Sequence, residues 1–182
     1  MTYEIRIWPD KILKQKMARV DFFNTEKLKK FIEIMFQKMY ELEGIGLAAN
    51  QIGIPYQIIV IDTTIKENDN EKSEEKKESG VKLALINPEI IYRDGEIEST
   101  EGCLSFPGVQ ITIPRSKKVI VKAQDIEGNE VEVVGEDILS VVLQHEIDHI
   151  NGIPFIKYLP PVKKKMILDR FMKKRKEIVK AR

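Results

Sequence analysis

Gln144-His145-Glu146-Ile147-Asp148-His149 carries the most legible chemistry in the chain. His145 and His149 stand four residues apart, so on a helix they project from one face, one turn above the other. Two imidazoles placed this way can share one metal ion, and Glu146 beside the first can reach a metal-bound water. H-E-x-x-H on a helix is a metal-hydrolase signature, although the five-residue pattern also arises by chance in charged helices. A hydrolytic centre normally has three protein ligands and an open position. The chain holds only 2 His, both already in the motif. Phe155 stands where the longer zinc-peptidase motif has its third His, and Glu177, a downstream carboxylate, lies in a basic tail. The best remaining soft donor is Cys103. A thiolate with two imidazoles suits Zn²⁺, Fe²⁺, Co²⁺ or Ni²⁺. Two other readings stay open at this level: an inert buried thiol, and a thiol enzyme with Cys103 as nucleophile and a His as its base.

The elements that must position these groups can be read from periodicity. Apolar residues at Ile138, Leu139, Val142, Leu143, Ile147 and Ile150 follow a helical repeat, so 137–152 is expected to be a helix. Asp137 complements its dipole, and Gly152 with Pro154 stops it. Residues 25–43 form a second amphipathic helix with a stripe of Leu28, Phe31, Ile32, Met35, Met39 and Leu42, and Gly44 as its C-cap. Strands are expected at 3–8, 57–62 and 83–92, the last interrupted at Asn87-Pro88. Arg93-Asp94-Gly95 reads as a hairpin turn leading into a partner strand at 96–100. Cys103 then falls at a strand end, and Pro107-Gly108 marks another turn. A further hairpin joins 117–124 to 129–134. Gly44, Gly46, Ala48, Ala49 and Gly53 crowd into one stretch, which suggests backbone held close to something. The expected fold class is α+β: antiparallel sheets around a central HExxH helix, with N-terminal and C-terminal helices.

At 182 residues, 42% hydrophobic and 32% charged, the chain is expected to be one globular domain. It has no apolar run of membrane-spanning length and no secretory start, and its single cysteine cannot form an internal disulfide. A cytoplasmic location without membrane association is the expectation. From Lys66 to Glu78 ten of thirteen residues are charged and none is apolar, so 63–80 is expected to be a flexible insertion. The net charge of +1 divides unevenly: 163–182 carries +8 and the remainder −7. Residues 1–162 are read as the folded unit and 163–182 as a basic C-terminal helix. Such a helix favours a polyanion.

Three segments, in order, resemble the motifs of the peptide deformylase family: Gly44 to Gln51, Glu101-Gly102-Cys103-Leu104-Ser105, and Gln144 to His149. Trp8-Pro9-Asp10 is similar to that family's N-terminal stretch, and the resemblance covers about residues 3 to 160. It implies a bacterial or organellar type of enzyme that removes formyl groups from N-formylmethionyl nascent peptides and releases formate. It implies that Cys103, His145 and His149 hold one divalent metal. Fe²⁺ is the implied native ion, with Zn²⁺, Ni²⁺ or Co²⁺ in a purified sample. Glu146 becomes the general base, while Gln51 and the backbone N–H of Leu104 stabilise the developing oxyanion. Gly46 and Gly102 are candidates to bind an extended peptide, and Ile45, Leu139 and Val142 to line a methionine pocket. Asp148 and Glu101 are expected behind the ligands, with Arg115 as a candidate partner for one or the other. For an enzyme of nascent chains, the polyanion suited to the basic helix is ribosomal RNA. Lys11 and Gln110 depart from residues common in the family; Gln110 replaces a groove arginine found in some members.

Overall fold

A computed structural model of the protein describes residues 3–64 and 80–180. Strand β2 (Ile58–Asp62) shows how the chain is layered, because all five of its residues are buried. Alternate side chains of a strand face opposite ways. Ile59 and Ile61 enter one core cluster, with Val142, Leu143 and Ile147 of helix α2 (Asp137–Ile150). Ile58 and Val60 enter a second, with Leu28, Met35 and Met39 of helix α1 (Glu26–Glu41). A short apolar run therefore makes a strand with a helix on each side.

The order of the main sheet is β1 (Gly46–Ala48), β2, β3 (Lys82–Asp94), β6 (Lys118–Gln124) and β7 (Glu130–Glu136), antiparallel throughout. Strands β4 (Ile97–Cys103) and β5 (Phe106–Arg115) form a separate antiparallel pair. Helix α3 (Pro161–Lys180) follows a 3-10 turn at Phe155–Tyr158. The expected α+β class, with antiparallel strands around the HExxH helix, is the observed one.

Several local expectations change. Residues 3–8 join no sheet: Arg6 N–H donates to Gln51 O at 2.6 Å and Trp8 N–H to Ser105 O at 3.0 Å, single bonds to two different segments. Arg93-Asp94-Gly95 is no hairpin turn. Strand β3 runs on beside β6 to Asp94, and at Gly95 (φ 64) the chain leaves for the other sheet. Pro107-Gly108 lies inside β5, and the tight turn is instead Leu104-Ser105. Strand β5 itself was masked by its prolines and glycine. The left-handed residue ending α1 is Glu43 (φ 57), not Gly44. Glu43 N–H donates to Tyr40 O and Gly44 N–H to Met39 O, the paired bonds of a Schellman end. The interruption at Asn87 is real: its φ is 52, and its side chain accepts from Val20 N–H at 2.8 Å. The charged 63–80 stretch lies outside the described residues except at Thr63, Thr64 and Gly80.

The basic helix α3 is packed, not free. Phe171 is 6% exposed and lies 5.5 Å from the Phe106 ring in a third cluster with Phe155, Ile156 and Leu159. Arg175 donates to Trp8 O at 2.6 Å, tying the helix to the N-terminal segment. Met166, by contrast, is 58% exposed. Phe171→Ala is expected to lower the unfolding free energy by about 3 kcal/mol, read by urea denaturation. An unchanged midpoint would mean that the helix contributes nothing to the fold.

Candidate metal centre

Helix α2 and the end of β4 bring the candidate ligands together. Ligand atoms of Cys103, His145 and His149 lie within 4.8 Å of one another. Cys103 Sγ is 3.2 Å from His149 Nε2. Donors sharing one tetrahedral ion at 2.0–2.3 Å stand roughly 3.3–3.8 Å apart, so small adjustments close this set on a metal. His145 and His149 are buried and Cys103 is partly so. Glu146 is 5% exposed, and its Oε2 has no hydrogen-bond partner among the described residues. A buried carboxylate oxygen left this way needs something to bond, which a metal site with its water would provide.

One buried cation organises the residues behind the ligands. Arg115 donates through Nε and Nη2 to the two carboxylate oxygens of Glu101 at 2.9 and 2.8 Å, and through Nη1 to Asp148 Oδ2 at 2.7 Å. Glu101 Oε1 also meets His145 Nδ1 at 2.8 Å, which leaves Nε2 of that ring for the centre. Asp148 accepts in addition from the Tyr158 hydroxyl at 2.8 Å. Arg115 thus partners both carboxylates that the sequence offered it. Tyr158 was not foreseen; an isolated aromatic ten residues past Asp148 carries no periodic signal. On the far side of the helix, Asn50 donates to His149 O at 2.6 Å, and Gln144 bonds Ser116 and Ser140.

These contacts set the protonation preferences. Burial favours a neutral Glu101, but hydrogen bonds from Arg115 and His145 outweigh it and hold the carboxyl at about 2. Glu146 has no such donors. Burial dominates there and raises it to about 7, with His145 pulling the other way. Burial also depresses His149 well below the ordinary imidazole value, helped by the nearby His145 and Arg115 charges. His145 is pushed well above it, because Cys103 and Glu101 overcome its burial.

The centre opens into a groove of about 1100 Å³. Gln51 sits at its base: its Oε1 accepts from Ala48 N–H at 2.9 Å, and its Nε2 faces Ser105 Oγ at 3.2 Å and Cys103 Sγ at 3.8 Å. Ile45, Gly46, Gly102, Leu104 and Val142 line the groove. Leu139 does not; it packs against the cluster beneath β2, and Ile138 and Val141 take the groove positions of that turn. The glycine at 46 is a spatial necessity: a Cβ there would stand 2.7 Å from Glu146 Oε1 and 2.9 Å from Val142 Cγ1.

Antiparallel sheets wrapped round an HExxH helix, with a cysteine delivered from a strand end, define a class of metal-dependent amide hydrolase. Residues 2–165 match the family model of polypeptide deformylase. The peptide deformylase of Aquifex aeolicus (strain VF5) is 43% identical over 173 residues, spanning 95% of this chain and 96% of that protein. A crystal structure of a peptide deformylase from Legionella pneumophila matches with TM-score 0.83 and 38% identity, covering 100% of this chain and 99% of that one. The peptide deformylase structure from Ehrlichia chaffeensis matches with TM-score 0.86 and 32% identity, covering 98% and 99%. The chain belongs to the polypeptide deformylase family, metal-dependent hydrolases whose general function is deformylation of N-formylmethionyl nascent peptides.

Arg115→Ala strands two buried carboxylates. It is expected to cost about 3–5 kcal/mol of stability and to weaken metal affinity about 10–100-fold, read by denaturant melts and metal titration of the purified variant. A variant as stable and as fully metallated as the parent would refute the positioning role of Arg115.

Proposed function

We propose that this chain deformylates N-formylmethionyl peptides with Cys103, His145 and His149 as metal ligands and Glu146 as general base. The observation that carries the reading is the unpartnered, buried Oε2 of Glu146 beside that donor set. When bound, the metal supplies Lewis acidity, making a water acidic near neutrality and polarising the formyl oxygen. Glu146 accepts the proton of the attacking water, and its raised pKa of about 7 suits a group that must then hand that proton on. The water oxygen bonds to the formyl carbon, the C–N bond breaks, and the proton passes from Glu146 to the leaving nitrogen. The products are formate and a free amine. Gln51 Nε2, steered by its own bond to Ala48, donates to the carbonyl oxygen as charge builds on it. The N–H of Leu104 is the second donor, and each such donor is typically worth about 2.7–4 kcal/mol in the transition state. Ile45, Val142, Gly46 and Gly102 hold the methionyl residue and its backbone. Asp148, Glu101 and Arg115 fix the imidazoles.

Fe²⁺ is the proposed native metal, a ferrous thiolate site that aerobic handling would exchange for Zn²⁺, Ni²⁺ or Co²⁺. The proposed compartment is the cytoplasm; among the described residues no helix is long and apolar enough to cross a membrane. Residues 1–162 are the proposed catalytic domain, and helix α3 a basic extension that docks on it through Phe171 and turns its lysines outward. The Cys103–His149 contact at 3.2 Å also suits a thiol nucleophile with a histidine base. Removal of metal separates the two readings.

Anaerobically purified protein is expected to release formate from formyl-Met-Ala-Ser. A chelator should abolish the activity, and Glu146→Gln should reduce kcat about 10²–10⁴-fold while metal content stays unchanged. Turnover that survives complete metal removal would establish the thiol mechanism instead. A second expectation concerns the basic helix: a Lys173→Glu, Lys174→Glu, Lys176→Glu variant should lose salt-dependent co-sedimentation with ribosomes. Undiminished binding would mean that the helix is not the surface that meets the ribosome.

A further inference from the structure

The charge around the groove is one-sided. Three exposed carboxylates line it: Glu43 at the end of α1, Glu98 on β4 and Asp137 at the start of α2. No lysine or arginine is among the lining residues, where Gln110 contributes a neutral amide. None of the three carboxylates forms an ion pair with another described residue. Two of them stand on fixed backbone: Gly44 N–H bonds Met39 O at 2.9 Å beside Glu43, and Asp137 N–H bonds Lys117 O at 3.0 Å. Further in, Glu146 adds a buried oxygen without a partner, facing the same groove. Elsewhere some surface carboxylates are paired, as in Lys38–Glu41, Lys118–Glu136 and Lys122–Glu130, and lysines or arginines are interspersed with those that are not. The groove lining thus carries several negative charges and no lysine or arginine to offset them.

We infer that this groove selects formyl peptides with lysine or arginine immediately after the first residue, and discriminates against aspartate and glutamate there. The inference rests on the proposed deformylase reading and names the substrate class within it. The methionyl side chain enters the apolar part of the groove, lined by Ile45 and Val142. The residues that follow run out past the mouth, where long cationic side chains reach carboxylates that are still hydrated. Attraction of this kind costs little desolvation and acts on encounter and ground-state binding, so it is read in KM more than in kcat. It is also screened by salt, because the charges are exposed.

The test uses the metal-loaded enzyme with formyl-Met-Ala-Ser, formyl-Met-Lys-Lys and formyl-Met-Glu-Glu. At low ionic strength, on the order of 0.01 M, kcat/KM is expected to rank Lys above Ala above Glu. About 3- to 10-fold should separate the extremes, carried by KM. At about 1 M salt, where the screening length falls to about 3 Å, the ranking should collapse. Combining Glu43→Gln, Glu98→Gln and Asp137→Asn should flatten it at low salt, whereas Glu33→Gln, on the exposed face of α1, should not. The salt series on the unaltered enzyme decides the matter even if the triple variant fails to fold. Equal kcat/KM for the lysine and glutamate peptides at low salt, with formyl-Met-Ala-Ser turned over normally, overturns this inference alone. Absence of turnover on all three peptides overturns the deformylase reading, and this inference with it.

Discussion

Arg115 is the constraint on which the centre depends. Cys103 ends a strand of the two-stranded sheet, while His145 and His149 belong to the helix packed on the five-stranded one. Nothing in either sheet's hydrogen bonding sets the distance between them. The guanidinium of Arg115 at the end of β5 does so, donating twice to Glu101 of β4, whose Oε1 also meets the His145 ring, and once to Asp148 of the helix. Burying a cation and two carboxylates is expensive, and such a set adds little net stability compared with apolar packing. What it supplies is registration: one rigid planar fork with two carboxylates at fixed angles. The fold accepts the desolvation and obtains a candidate metal site with one half on a strand end and the other on the helix packed against the second sheet.

The same low-polarity interior treats two carboxylates in opposite ways. Glu101 is surrounded by donors and stays ionised, while Glu146, against Gly46 and Val142, has none and is pushed towards neutrality. Two acids with separated proton affinities, one structural and one able to exchange protons near neutral pH, follow from where the donors lie. The missing side chain at position 46 is part of this arrangement, since a Cβ there would crowd the Glu146 carboxylate at 2.7 Å. Glycine at that point lets the strand edge, with its peptide groups, form one wall of the groove.

Much of this was legible in the sequence because it rests on short-range periodicity. The helix of the H-E-x-x-H motif, the stripe of α1 and the hairpin of β6 and β7 all follow from local pattern. Local pattern failed where tertiary pairing decided the outcome. Residues 83–100 read as a hairpin because Arg93-Asp94-Gly95 has turn chemistry, yet β3 finds its partner in β6, and Gly95 is a crossing between sheets. Strand β5 was hidden by Pro107, Gly108 and Pro114, which an outer strand tolerates. Leu139 reads as a groove residue yet packs against the core, and Val141 takes a groove position instead, since both fit a helix and only packing separates them. Of the residues behind the centre, Glu101, Asp148 and Arg115 could be anticipated from the need of buried ligands for acceptors. Tyr158 could not, because its contact depends on the path of the 3-10 turn after α2.

The bond from Arg175 to Trp8 and the packing of Trp8 and Phe171 against the Phe106 ring join the two ends of the described chain. This closure imposes an order on synthesis. A chain emerging from the ribosome can lay down β1 to β7 and the H-E-x-x-H helix while Phe106 and Phe155 still lack one wall. The Phe106 ring gains its contact with Phe171 only when residue 171 has cleared the exit. A chain arrested short of that helix is therefore expected to hold every candidate ligand and Arg115 while leaving the Phe106 side of its third cluster open to water.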